Sequence, residues 1–320
     1  MGSDGASGID VAALVTAARQ GRVRAIARLI SLIENDSSRL REAMGLMAPD
    51  TGYAHVVGLT GSPGVGKSTT TAALIAAYRA RGLRVGVLAV DPSSPFSGGA
   101  VLGDRVRMQK HALDDGVYIR SMASRGQLGG LSAATPQALR VFDTARFDVV
   151  LLETVGVGQS EVEIASTADT TLVLLAPGMG DGIQAAKAGI LEIGDVFVVN
   201  KADRDGVNNV VRELRAMVAL GQRSPGDWQP PIVRTVASAE EGIDDLLGQI
   251  EAHREAQQGS GAWGRRRLSR AGTEIEALAL ASVRRRFAGS SREGLDELAT
   301  AVRDGRLDAH SAADQLLNRL

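Results

Sequence analysis

One segment of eight residues constrains the fold of this chain more than any other: Gly-Ser-Pro-Gly-Val-Gly-Lys-Ser at 61–68. It fills every fixed position of the pattern G-x-x-x-x-G-K-[ST], in which a glycine loop between a strand and a helix holds phosphates. The flanks agree with that context, because an apolar run at 55–60 precedes the loop and a helix-forming run from Thr69 stops at Gly82. The segment therefore predicts a site for a nucleoside triphosphate rather than a chance turn of glycine and serine.

Each part of this loop has an expected role. Glycines let the backbone wrap around phosphates with its N–H groups pointing inward, and the N-terminus of the following helix adds partial positive charge. We expect Lys67 to contact the β and γ phosphates and the Ser68 hydroxyl to bind Mg²⁺. The predicted nucleotide contacts are Gly61, Ser62, Pro63, Gly64, Val65, Gly66, Lys67, Ser68 and Thr69.

A second motif, Asn200-Lys-Ala-Asp203, directly follows another apolar run and indicates which base is bound. Guanine presents two donors on one edge, and the Asp203 carboxylate can accept from both, whereas adenine cannot satisfy it. The stem of Lys201 can cover the face of the base, and Asn200 can tie this loop to the phosphate loop. The backbone at Ser238 and Ala239 can donate to the guanine O6. The alternative for Asn200 or Asp203 is a helix N-cap.

Three acidic residues are candidates for the Mg²⁺ site and for catalysis: Asp91, Asp104 and Glu153. Asp91 and Glu153 end predicted strands, and Mg²⁺ at a nucleotide takes one or two carboxylates, often through bound water. Asp104 lies at the predicted start of the intervening helix. There it can equally well form an ion pair with Arg105 or Arg107 on a surface helix.

Short apolar runs alternate with helical stretches from residue 54 to about 252. This alternation predicts an α/β fold, a P-loop NTPase domain with a mainly parallel central sheet covered by helices. Ligands bind at the carboxyl ends of the strands in such sheets. The predicted strands lie at 55–60, 84–90, 148–152, 171–176, 195–199 and 232–237.

Helical segments are predicted on both sides of this domain. We expect an N-terminal helical extension over 1–50, the nucleotide domain over 51–258 and a C-terminal helical segment over 259–320. Glycines separate the helices of the last segment, which are predicted at 264–288, 292–304 and 308–319.

Composition excludes several classes of protein. The chain has no cysteine, which rules out disulfides and cysteine-bound zinc or iron–sulfur clusters. Its four histidines are scattered, so we predict no histidine metal cluster. A net charge of −1 favours neither nucleic acid nor an anionic membrane as a partner. Because the N-terminus lacks the pattern of a signal peptide and no apolar run is long enough to span a bilayer, we expect a cytoplasmic protein.

Six stretches together resemble the MeaB/ArgK family of GTPases, which serve adenosylcobalamin-dependent methylmalonyl-CoA mutase as chaperones. Those around 90–95, 153–161 and 177–187 are far more specific than the phosphate loop. The matching stretches lie at 21–34, 61–68, 90–95, 153–161, 177–187 and 200–203.

The resemblance implies a GTPase that binds GTP, GDP and Mg²⁺ and gates the loading and protection of the mutase cofactor. It also implies a homodimer with a C-terminal dimerisation arm, and switch loops after Asp91, after Glu153 and at 177–187. By matched position, Asp181, Gln184 and Lys187 would belong to the third switch, which couples the mutase to GTP hydrolysis. From the residues alone, Asp181 can instead simply cap a helix.

Val157 stands where many GTPases carry a glutamine that orients the attacking water, so we expect slow hydrolysis without a partner. Gln159 is an alternative source of that group. Three other functions stay open: a kinase or ATPase linked to basic amino-acid transport, a nickel-inserting GTPase, and a pure scaffold whose nucleotide is structural. The guanine motif opposes the first, and the absence of cysteine with scattered histidines opposes the second.

Overall fold

A computed structural model describes residues 10–91, 111, 113–123, 134–154, 160–178, 190–220, 227–289 and 292–318. Within these residues the centre is a seven-stranded sheet in the order β3-β2-β4-β1-β5-β6-β7, and every pair of neighbours is parallel. The predicted α/β fold with a parallel sheet is therefore confirmed. The strands are β1 His55–Thr60, β2 Val85–Asp91, β3 Val117–Ala123, β4 Val149–Thr154, β5 Thr170–Leu175, β6 Val196–Asn200 and β7 Ile232–Thr235.

Helices precede, connect and follow these strands. In the first part of the chain they are α1 Val11–Arg19, α2 Val23–Glu34, α3 Leu40–Met47, α4 Lys67–Ala80, α5 Thr135–Thr144 and α6 Ser160–Thr167. In the second part they are α7 Ile190–Ile193, α8 Val207–Leu220, α9 Ile243–Gly259, α10 Ala262–Gly289, α11 Arg292–Arg303 and α12 Ala309–Leu317.

Both faces of the sheet are covered, which explains why its central strands are apolar without alternation. Successive residues of β4 point to opposite sides: Val150 and Leu152 pack with α1–α3, α5 and α6, whereas Val149 and Leu151 pack with α4 and α9. A third apolar cluster places α8 against β5 and β6. Helices thus cover both faces of the sheet, and a ligand is expected at the carboxyl ends of its strands.

The three N-terminal helices share the core of the sheet domain. Ile26, Leu29 and Ile30 of α2 are fully buried in the same cluster as Phe142 of α5 and the adjacent Phe147. The chain divides into two compact units, one ending at Arg266 and the other beginning at Arg267. The N-terminal helices therefore belong to the larger unit.

The sequence interpretation missed one strand, β3. Its sequence, Val-Tyr-Ile-Arg-Ser-Met-Ala, lies at the edge of the described sheet and pairs only with β2 there. Arg120 and Ser121 interrupt its apolar run, because an edge strand leaves part of its surface outside the core. The predicted strand at 232–237 also ends early, at Thr235, and residues 237–239 form a short 3₁₀ turn.

None of the helices in the described ranges has the length and apolar character required to cross a bilayer.

Candidate functional site

The sequence-predicted nucleotide residues meet at the carboxyl edge of the sheet. The phosphate loop joins β1 to α4, Glu153 lies near the end of β4, Asn200 ends β6, and the 3₁₀ turn at 237–239 follows β7. Parallel pairing brings these strand ends to one edge, where β1 and β4 are direct neighbours. This is the place where open α/β sheets bind ligands.

At two positions of the phosphate loop only glycine fits, because the backbone has a positive φ and an added Cβ would overlap a neighbouring atom. Gly61 has a φ of 138°, and a Cβ there would lie 2.3 Å from the Leu174 carbonyl oxygen. Gly66, with a φ of 101°, precedes the first residue of α4, and a Cβ there would lie 2.3 Å from the Asn200 Nδ2. Any other residue would push the loop away from β5 or from the guanine motif.

Lys67 begins α4 and extends back over the loop. Its Nζ donates to the Gly61 carbonyl at 2.7 Å and to the Ser62 carbonyl at 3.3 Å. Only 8% of the residue is exposed, so the charge is held close to the loop rather than in solvent. A positive charge and a helix N-terminus therefore coincide where the motif predicts phosphates.

Three side chains donate to carbonyl oxygens of this short loop. Besides Lys67, the Asn200 Nδ2 donates to the Val65 carbonyl at 2.9 Å, and the Lys201 Nζ donates to the Gly64 carbonyl at 2.7 Å. Two of these three donors are lysine ammonium groups, so the side chains that bind the loop also bring positive charge to it. This pattern favours phosphate binding.

Ser68 and Glu153 form a buried pair of oxygen ligands. The Ser68 hydroxyl donates to the Glu153 Oε1 at 2.7 Å, and the Thr71 hydroxyl donates to the Oε2 at 2.9 Å. Glu153 is 2% exposed and Ser68 is 6% exposed. A hydroxyl and a carboxylate suit Mg²⁺, which prefers hard oxygen ligands and takes the rest from phosphates and water.

The described residues contain no group of three or more His, Cys, Asp or Glu side chains that could hold a metal by themselves. Mg²⁺ at a nucleotide does not require such a group, because substrate oxygens complete its octahedron. The Ser68 and Glu153 pair therefore fits a nucleotide-bound Mg²⁺.

Asn200 connects three parts of the site. Its Nδ2 contacts the phosphate loop, and its Oδ1 accepts from the Thr235 hydroxyl and from the Ala237 N–H, each at 3.1 Å. With 3% of its surface exposed, this side chain is fixed inside the protein. The guanine motif, the phosphate loop and the turn after β7 thus form one rigid frame.

The residues predicted to read the base lie at the surface of that frame. Lys201 adopts a φ of 57°, and its neighbour Asp203 is exposed in the following turn. Ser238 and Ala239 are also exposed, but the Ala239 N–H already donates to the Val236 carbonyl at 2.9 Å. Of the predicted pair, Ser238 is therefore the better candidate for a donor to the guanine O6.

The remaining predicted site residues are described only in part or not at all. The backbone of Asp91 ends β2, beside β4, but its side chain lies outside the description. Four predicted residues lie outside the described residues altogether: Asp104, Asp181, Gln184 and Lys187. The same applies to the segment 155–159.

Two contacts of the site were missed by sequence reasoning. Thr71 follows Ser68 at the i, i+3 spacing that puts both on one face of a helix, and this spacing could have suggested a shared partner. Thr235 ends β7 and has no signal in the sequence, because its contact with Asn200 depends on the pairing of β6 with β7.

Two of the scattered histidines meet at the opposite edge of the sheet. His55 Nε2 and His253 Nδ1 lie 2.9 and 2.8 Å from the Thr170 hydroxyl oxygen. His253 Nε2 lies 3.2 Å from Asp195, which Arg266 also contacts through two nitrogens at 2.9 and 3.1 Å. Apart from the half-exposed Arg266, this network is buried, and it lies far from the predicted phosphates, which indicates a structural role.

Comparison with known proteins gives a consistent result. The model of the family described as methylmalonyl Co-A mutase-associated GTPase MeaB matches residues 26–292. The Escherichia coli GTPase ArgK is 36% identical over 250 residues, which cover 76% of this chain and 76% of that protein. The methylmalonic aciduria type A homolog of Mus musculus is 32% identical over 323 residues, covering 95% of this chain and 78% of the relative.

A solved structure of an LAO/AO transport system kinase has the same fold over the whole length of this chain. Its TM-score is 0.71 at 25% identity, with 100% of this chain and 99% of that chain covered. The predicted resemblance and the predicted P-loop NTPase fold are confirmed. The chain belongs to the MeaB family of methylmalonyl-CoA mutase-associated GTPases.

Proposed function

We propose that this protein binds and hydrolyses GTP with Mg²⁺ and uses that cycle to gate cofactor loading and protection of an adenosylcobalamin-dependent mutase. The preferred client is methylmalonyl-CoA mutase, and a related cobalamin mutase is the alternative. The observation that carries the nucleotide part is Asn200, whose side chain joins the phosphate loop to the guanine motif and to the turn after β7.

Guanine selectivity follows from donors and acceptors at the surface of this frame. The exposed Asp203 carboxylate accepts from guanine N1–H and the exocyclic amine, and the Ser238 N–H donates to O6. Adenine would leave the carboxylate without donors, and a site built for specific hydrogen bonds rejects such analogues by several orders of magnitude. The kinase or ATPase alternative has no corresponding feature at this site.

Hydrolysis relies on charge positioned around the phosphates. Lys67 supplies a buried positive charge beside the loop, at the N-terminus of α4. Ser68 and Glu153, with Asp91 and Asp104 as further candidates, hold the Mg²⁺ that neutralises phosphate charge. Val157 in place of a glutamine leaves the attacking water poorly oriented until a partner contributes.

The client is inferred from relatives. The family carries the mutase in its name, and the mouse relative is named for methylmalonic aciduria. We assign coupling to the third switch at 177–187, with Asp181, Gln184 and Lys187 as its polar residues.

A homodimer through the C-terminal helices is part of the proposal. Ile275 and Leu278 of α10 are 68% and 41% exposed in the single chain, and Leu295 of α11 is 51% exposed. Ile275 and Leu278 lie three positions apart on one helix, and exposed apolar side chains that form a continuous patch are typical of an interface.

The test is GTP turnover measured with and without purified methylmalonyl-CoA mutase. A partner that orders the switches should stimulate turnover about a hundredfold, equivalent to about 3 kcal/mol of barrier. Lys187→Ala and Asp181→Ala should keep basal turnover and lose the stimulation. If the parent is not stimulated, the client is wrong; if the variants respond as the parent does, this loop is not the coupler.

A further inference from the structure

The carboxylate of Glu153 is held by two hydroxyls from one helix. Ser68 donates to one oxygen at 2.7 Å and Thr71 to the other at 2.9 Å. The two hydroxyl residues lie three positions apart in α4, so they occupy neighbouring places on the same face of the helix. Thr71 is 0% exposed, and Glu153 is 2% exposed.

We propose that Thr71 is a positioning residue for the metal-binding carboxylate, which it holds so that the Oε1 faces Ser68 and the metal site. This inference rests on the proposed Mg²⁺-dependent nucleotide binding. Thr71 is the third threonine after the phosphate-loop lysine. Neither the motif nor the family name gives this residue a role in orienting the carboxylate.

Side-chain geometry explains why a second hydroxyl is needed. A glutamate has one more rotatable bond than an aspartate, and the last torsion of its carboxylate has a broad, weakly restricted range. A single donor at Oε1 fixes that oxygen but does not by itself fix the plane of the carboxylate. A second donor at Oε2 removes this freedom before any ligand arrives.

Burial adds to the effect. A fully buried hydroxyl requires an acceptor, and a buried carboxylate requires donors, so the two groups stabilise one orientation mutually. Ser68 is compatible with metal binding at the same time, because its oxygen can offer a lone pair to a cation while its proton still points to Glu153. Thr71 then keeps the carboxylate in place from the other side.

A purely structural hydroxyl would give a different result from a positioning one. Thr70 provides a matched control, because it is the adjacent residue of α4, is also 0% exposed, and donates its hydroxyl to the Gly66 carbonyl at 3.0 Å rather than to Glu153. Thr71→Val and Thr70→Val each remove one buried hydroxyl at nearly constant volume. Only the first of these changes touches the carboxylate.

The experiment measures binding of fluorescent GDP as a function of Mg²⁺ concentration, with a parallel series in EDTA. Loss of an outer partner of a metal ligand typically weakens metal affinity by tenfold or more. We expect Thr71→Val to raise the Mg²⁺ concentration for half-maximal tightening of GDP binding about tenfold and to leave the affinity in EDTA unchanged. Thr71→Ser should restore the parental Mg²⁺ dependence, and Thr70→Val should keep it.

A parental Mg²⁺ dependence in Thr71→Val, or an equal shift in Thr70→Val, would overturn the role of Thr71 while leaving the proposed function intact. If the parent itself bound GDP without any influence of Mg²⁺, the proposed function and the role of Thr71 would both be wrong. Should Thr71→Val fail to fold, Thr71→Cys replaces it, since a thiol of similar size is only a weak donor and should give the same direction of shift.

Discussion

The two edges of the sheet bind their backbone groups with different kinds of side chain. At the carboxyl edge, side chains of Lys67, Asn200 and Lys201 donate to carbonyl oxygens of the phosphate loop. At the amino edge, carboxylates accept from backbone N–H groups. Asp169 accepts from Val56 at 3.0 Å, and Asp195 accepts from Thr171 at 2.9 Å.

This difference separates a ligand site from a structural edge. Two lysines that bind carbonyl oxygens of the phosphate loop bring positive charge to the carboxyl edge, which therefore suits an anion. Carboxylates bound to backbone N–H groups at the amino edge satisfy those donors within the protein. Side chains also donate to carbonyl oxygens at the amino edge, from Trp228 to Asp195 and from Arg266 to Asp169, so it is the carboxylates bound to backbone N–H groups that indicate the structural role of that edge.

A substitution at the carboxyl edge should have the largest effect, and the effect should be on GTP hydrolysis. Lys67→Ala removes the positive charge beside the phosphates, and loss of one such electrostatic contact costs about a hundredfold to a thousandfold in turnover. Single-turnover GTP hydrolysis would measure it, with thermal unfolding as the control for folding. A variant that hydrolyses GTP at the parental rate would contradict the role given to this lysine.

Breaking the amino edge should instead affect stability. Asp195→Ala removes the buried carboxylate that Arg266, His253 and the Thr171 N–H contact, and losing hydrogen bonds to such a charged group costs about 2 kcal/mol of unfolding free energy. GDP affinity should stay within about twofold of the parent, because the network does not touch the site. Denaturant unfolding and GDP titration provide the two measurements. A large loss of GDP affinity with an unchanged free energy of unfolding would contradict the structural role of the amino edge.

The smallest expected effect is a pH dependence of stability at the amino edge. Burial opposes ionisation of Asp195, but hydrogen bonds from His253 and Arg266 outweigh it and lower the pKa of the carboxyl. A lowered folded-state pKa gives stability that is present above the unfolded pKa of about 3.9 and is lost as pH falls through the folded value.

Parent and Asp195→Asn should therefore differ most in unfolding free energy near neutral pH, and the difference should shrink below about pH 4. Denaturant unfolding at pH 7 and at pH 3 measures this contrast. If parent and variant differed by the same unfolding free energy at both pH values, ionisation of Asp195 would contribute nothing to stability.

The two motifs of the carboxyl edge are recognisable in the sequence for a physical reason. Residues that face a ligand are restricted in type and spacing, so Gly61–Ser68 and Asn200–Asp203 are recognisable as linear motifs. The structure brings these two motifs into direct contact through Asn200 and Lys201.

Residues that face other parts of the protein are much harder to predict. Three threonines show this: Thr71 contacts Glu153, Thr235 contacts Asn200, and Thr170 contacts His55 and His253. Each partner is distant in the chain, so the contact depends on strand order and helix packing. The edge strand β3 was missed for a related reason, since its half-exposed sequence resembles neither a buried strand nor a helix. The roles of Asp104 and of the third switch remain predictions.

The central claim is that the carboxyl edge forms a guanine nucleotide site in which Asp203 reads the base. The most direct test is a competition titration of GDP, ADP and xanthosine diphosphate against the parent and Asp203→Asn. The parent should bind GDP at least about ten-thousandfold more tightly than ADP, and the variant should shift its preference towards xanthosine diphosphate. Equal affinity of the parent for GDP and ADP would contradict the claim.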